Sequence, residues 1–155
     1  MSDKEPGSKA PIFRRHWLVK FAPFRTCWAD TVRRGTFTLR GVRSAEARRH
    51  LAATGVGDPV LFHHSQQERA VVGVLEVSRE ADPDPTSADP SWLTCDFRPL
   101  QTLARPILLA QLCLNAELAG LPLLRRPRLA VMPVTPTEFA AIVSMRSVGS
   151  RRVPP

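Results

Sequence analysis

His63, His64 and Ser65 stand together at the end of the apolar run Val60-Leu61-Phe62. A serine beside a histidine invites a nucleophile–base reading. Neighbours on an extended strand point to opposite faces, however, so adjacent residues do not form the hydrogen-bonded pair that such catalysis needs. No GxSxG elbow is present either. His63 and His64 diverge for the same reason, and no third ligand stands at metal spacing. Cys27, Cys95 and Cys113 include no CxxC pair, which speaks against zinc and for reduced thiols. Nothing supplies an acid–base pair at recognisable spacing, so the chain is expected not to be an enzyme and to hold no metal.

The more informative residues are cations. The chain has 155 residues and a formal charge of +8. Residues 1–15 carry +2 and residues 146–155 carry +3, which leaves +3 on the body. Within the body, residues 20–49 hold eight basic side chains against Asp30 and Glu46. Residues 68–96 hold seven acidic side chains against Arg69 and Arg79. One region is near +6 and another near −5, an asymmetry that would orient the molecule toward a polyanion. Arg40, Arg48 and Arg49 are the candidate phosphate contacts. Arginine outnumbers lysine 19 to 3, so a merely solvated arginine-rich surface is the competing reading.

These residues need a scaffold. The length suits one domain. Residues 1–15 and 146–155 read as polar tails, leaving a domain over 16–145. No run reaches the apolar length of a membrane span or signal peptide, so we expect a cytoplasmic protein. Strands are expected at 16–21, 36–40, 60–64, 70–79, 92–98 and 128–132. In the fifth, Leu93, Cys95 and Phe97 should face inward and Thr94, Asp96 and Arg98 outward. Helices are expected at 27–34, stopped by Gly35, and at 44–54, capped by Ser44, with Ala47, Leu51 and Ala52 on the buried stripe. Two more follow, at 107–118 and from Pro136 to Met145. Thr135-Pro136-Thr137-Glu138 fits a capping box with proline at the first helical position. Residues 81–91, with three prolines and three aspartates, read as an exposed loop. The sum is an α+β fold: a small, mainly antiparallel barrel decorated with short helices.

Several segments, in order, resemble the EVE domain family of the PUA-like superfamily, which includes the thymocyte nuclear protein type. They are WLVK at 17–20, GVR at 41–43, Gly57-Asp58, LFHHS at 61–65, VVGV at 71–74, DPDPT at 82–86 and LAVMPVTPTEF at 129–139. The resemblance implies a PUA-like pseudo-barrel with a pocket at one end for a flipped or modified base in DNA or RNA, modified DNA cytosine being the proposed ligand. It also implies no organic cofactor and no metal.

Carried over by position, the base pocket comprises Lys20, Phe21, Ala22, Pro23, Leu39, Gly41, Val42, Arg43, Ser44, His63, His64, Ser65 and Met132. Lys20 would meet a phosphate or a base carbonyl. Arg43 would meet a phosphate or pair with a carboxylate such as Asp58. Trp17 and Trp28 match family positions, as stacking surface or as core. The chain departs from the family at several of these positions: Phe21-Ala22 replaces Ser-Glu, Leu39 replaces Trp, Ser44 replaces Asn and His63 replaces Tyr. Base readout needs edge hydrogen bonds and a flat stacking face, so these changes remove a platform and an acceptor. Phe21 either stacks on a base or adds core volume. The expected function is nucleic-acid binding with readout of a modified or flipped base. The alternative is a degenerate domain that binds an apolar small ligand or a protein partner.

Overall fold

The computed structural model describes residues 15–21, 27–42, 44–65 and 69–151, with side chains to residue 145. The first strand, β1 (His16–Phe21), is the apolar run expected there. It lies between β3 (Pro59–His64), which it pairs in parallel, and β6 (Val131–Val134), which it pairs antiparallel. The remaining ladders are antiparallel and complete a six-stranded sheet in the order β2-β5-β4-β3-β1-β6. Here β2 is Phe37–Leu39, β4 is Ala70–Pro83 and β5 is Leu93–Leu108.

Local chemistry explains the helices. Helix α1 (Trp28–Arg34) ends because Gly35 adopts φ 76°, a left-handed cap open to glycine without strain. Helix α2 (Ala45–Ala53) begins where the Ser44 hydroxyl accepts the Ala47 amide at 3.2 Å. Its buried stripe is Ala47 and Leu51; Ala52 is exposed, one position too far round the helix to join them. The capping box forms as expected: Thr135 Oγ1 accepts the Glu138 amide and Glu138 Oε1 accepts the Thr135 amide, both at 3.0 Å. That helix, α5, spans Pro136–Arg151 and runs six residues beyond Met145.

The second half departs from expectation. β5 extends through residues 99–108, where its partner β4 carries it past Pro99 and Pro106. Pro99 lies opposite Leu75 at a shift in register, where an imino nitrogen forfeits no ladder bond. Leu103 and Ile107 supply the buried positions of this extension. The helix expected over 107–118 is reduced to α3 (Leu109–Cys113) and a 3-10 turn at Ala116–Leu118. A short α4 (Pro122–Arg125) interrupts the connection that follows. The last strand starts three residues later than expected, and Thr94 is buried rather than outward, in the irregular part of the β4–β5 ladder. Asp84, inside the expected exposed loop, is buried and accepts the Thr86 amide and hydroxyl.

The core on one side of the sheet is aromatic. Phe21 meets Phe37 edge-on at 4.6 Å and Phe62 at 4.8 Å, and Trp28 meets Phe62 at 5.2 Å. Such tilted arrangements suit the ring quadrupoles. Burial pushes the Cys95 thiol up to about 11, so it stays a protonated core group.

Candidate nucleic-acid interface

The parallel register of β1 and β3 sets Lys20 beside His63 and Phe21 beside His64. Side chains alternate across a strand, so the candidate residues are divided between two faces. Lys20, His63 and Met132 belong to one face; Phe21 and His64 belong to the other.

On the first face, Lys20 is half-buried and its Nζ donates to the carbonyl of Pro127. Its main-chain amide donates to Ala130 O at 2.9 Å, fixing the strand end against the residue 126–130 segment. Desolvation, followed by the Arg69 charge, lowers its pKa from the ordinary lysine value. His63 is 1% exposed, and neither ring nitrogen has a hydrogen-bond partner. Burial, then the neighbouring charges of Lys20, His64 and Arg69, push its pKa down to about 4, so the imidazole is neutral at pH 7. Met132 is fully buried opposite Leu18.

On the second face, Phe21 is held by Phe37 and Phe62 and buried. Among the described residues the rings it meets are the buried Phe62 and the half-buried Phe37, so of its two readings the added core volume is the one this packing matches. Leu39 is buried opposite Cys95 and likewise serves the core. His64 Nε2 accepts the Trp28 amide at 3.3 Å, and the Ser65 amide donates to Phe21 O at 2.7 Å. These bonds give His64 and Ser65 the task of closing the strand end over α1. Trp28 itself is core, its Nε1 donating to Thr102 Oγ1 at 2.9 Å.

The cationic segment surrounds the entry to α2. Gly41 has φ 74°, Val42 is buried, and Ser44 caps the helix. Arg48 lies over the Trp92 ring at 5.1 Å, while Arg40 and Arg49 are exposed. Ala22, Pro23 and Arg43 lie outside the described residues. Asp58, suggested as a partner for Arg43, accepts Trp17 Nε1 at 2.9 Å and the Gly55 amide at 2.8 Å.

A cleft of about 400 Å³ opens between Ser44 and residues 125–129. Arg126 pairs with Glu46 at the first turn of α2, and Arg125 Nε donates to Ala119 O. Arg128 is exposed. The Lys20–Pro127 bond joins this cleft to the end of β1. Residues 119–127 carry no motif that marks them as part of a site. The signal available was three arginines in Arg125-Arg126-Pro127-Arg128; their meeting with Ser44 and Lys20 is set by tertiary structure. Among the described residues no group of three or more His, Cys, Asp or Glu side chains is placed to hold a metal ion, and no helix is long and apolar enough to cross a membrane.

A mixed six-stranded sheet flanked by helices is the architecture of a PUA-like α+β domain. The family model for the EVE domain matches residues 15–145, and the chain belongs to that family. Chicken thymocyte nuclear protein 1 is 26% identical over 173 residues, covering 90% of this chain and 72% of that protein. A hypothetical protein from Leishmania major superposes with a TM-score of 0.84 at 30% identity, over 89% of this chain and 98% of the other. The human THYN1 protein, solved in complex with DNA containing 5-methylcytosine, gives 0.76 at 26% identity, over 91% and 99%. The YTH domain of Zygosaccharomyces rouxii MRB1, solved with N6-methyladenosine RNA, gives 0.57 at 15% identity, over 89% and 90%, and shares the fold.

Proposed function

We propose that residues 16–145 form a non-enzymatic nucleic-acid-binding module that recognises a modified or flipped base. The observation that carries this is the cationic cleft bounded by Ser44 and Arg125–Leu129 and tied to Lys20, on a fold shared with a human relative solved on 5-methylcytosine DNA. The cleft falls within the usual range for small-ligand sites, about 300–1,000 Å³. Ser44 brings a hydroxyl to the cleft edge, and Arg128 and Lys20 supply positive charge.

The apolar replacements at Phe21 and Leu39 sit in the core, so they do not favour the alternative of an apolar-ligand cavity. His64 Nε2 faces the Trp28 amide, which speaks against its serving as a base for the adjacent Ser65. Equilibrium titration with DNA and RNA oligonucleotides, each with and without a methylated base, tests the proposal. Binding that weakens with salt and favours the modified strand is expected. Equal, salt-independent absence of binding to every oligonucleotide would overturn it.

A further inference from the structure

The strand register brings two of the candidate pocket residues together with a cation outside that set. Lys20 stands beside His63 on β1 and β3, and His63 lies opposite Val71 on β4. Ala70 pairs with His64, so Arg69, one residue before β4, falls on the same face as His63 and Lys20. The backbone of Arg69 is fixed there by Leu109, whose amide donates to Arg69 O at 2.8 Å. Two cations therefore converge on one buried imidazole.

Among the described residues no carboxylate forms an ion pair with Lys20 or Arg69, and the acceptor at Lys20 Nζ is a neutral carbonyl. The electrostatics agree: Arg69 disfavours the charged form of Lys20, and both cations disfavour protonation of His63. His63 contributes one N–H and one lone pair with no protein partner, which is uncommon at 1% exposure. Like charges held side by side fit an anionic ligand, because a tetrahedral oxyanion accepts from guanidinium and ammonium alike.

We propose that Lys20 and Arg69 clamp one backbone phosphate of the bound strand, above the buried ring of His63. This rests on the nucleic-acid reading above and separates the work of the site. The Ser44 and Arg125–Leu129 cleft takes the base, and the ends of β1, β3 and β4 take the phosphate. The exchange is favourable in kind, since Lys20 trades a neutral carbonyl for a charged oxygen.

The full chain and its Arg69→Ala variant are titrated with a fluorescent single-stranded oligonucleotide, modified or unmodified, across a salt series. Arg105→Ala, an exposed arginine elsewhere on β5, controls for the loss of one charge. Arg69→Ala should weaken binding to both strands by about tenfold. Its log–log salt slope should be shallower by about 0.7, the value for one phosphate on a single strand. The preference for the modified base should be unchanged. A slope and affinity matching Arg105→Ala would overturn the clamp while leaving the base reader intact. If the wild-type chain binds no oligonucleotide, the reader reading fails, and the clamp is then judged with inorganic phosphate alone. Saturable movement of the His63 ring resonances in wild type, lost in Arg69→Ala, supports it; unmoved resonances overturn it.

Discussion

The indole of Trp28 lies directly on the backbone of Gly73: a Cβ at that glycine would come within 2.2 Å of Trp28 Cζ2. This contact seats α1 on β4 and lets the Trp28 amide reach His64. Gly73→Ala should therefore push the indole off the sheet and break its bond to Thr102. We expect a loss of about 1–3 kcal/mol, read as a lower urea midpoint with altered tryptophan fluorescence. Unchanged values would show that the indole is not wedged there.

Asp58 is the acceptor that holds β1 to the turn before β3. Its carboxylate serves both Trp17 Nε1 and the Gly55 amide, and it is buried. Asp58→Ala strands two donors and should cost about 2–4 kcal/mol. Asp58→Asn keeps a carbonyl oxygen and should cost less. Chemical denaturation of both variants checks the order.

Much of the frame was legible because its signals are local. The Ser44 cap, the Gly35 stop and the Thr135–Glu138 box each involve residues within a few positions of one another. The length of β5 beyond residue 98 is not local information: pairing with β4 carries it on and absorbs Pro99 at a register shift. The candidate site was legible only as a set of segments. Alternation places Lys20 and Phe21 on opposite faces, but sequence could not say which face held the core. Arg126 meets Glu46 across 80 positions, a relationship no local pattern carries.

The capping box offers a clean local check. Thr135→Ala removes the acceptor of the Glu138 amide at the start of a helix that packs on β5. A loss of about 0.5–2 kcal/mol is expected. Thr135→Ser should recover most of it, since the hydroxyl is what the bond requires. Paired denaturation curves decide the point.

His63 should make stability depend on pH. Its pKa is about 4 in the folded chain, against an ordinary 6.5, so the unfolded state binds more protons between these values. Its contribution is complete above about pH 6.5 and disappears as pH falls toward 4. Denaturation midpoints of wild type should fall more steeply between pH 7.5 and 4.5 than those of His63→Phe. Equal slopes would place the titration elsewhere.

The central claim is that the end of β1 and the adjoining cleft receive nucleic acid. Amide shift mapping of the full chain against an oligonucleotide carrying 5-methylcytosine tests it most directly. The account predicts movements concentrated at Lys20, Ser44 and Arg126–Leu129, reduced when the methyl group is absent. Movements confined to the acidic β4–β5 turn, or none at saturating oligonucleotide, would contradict it.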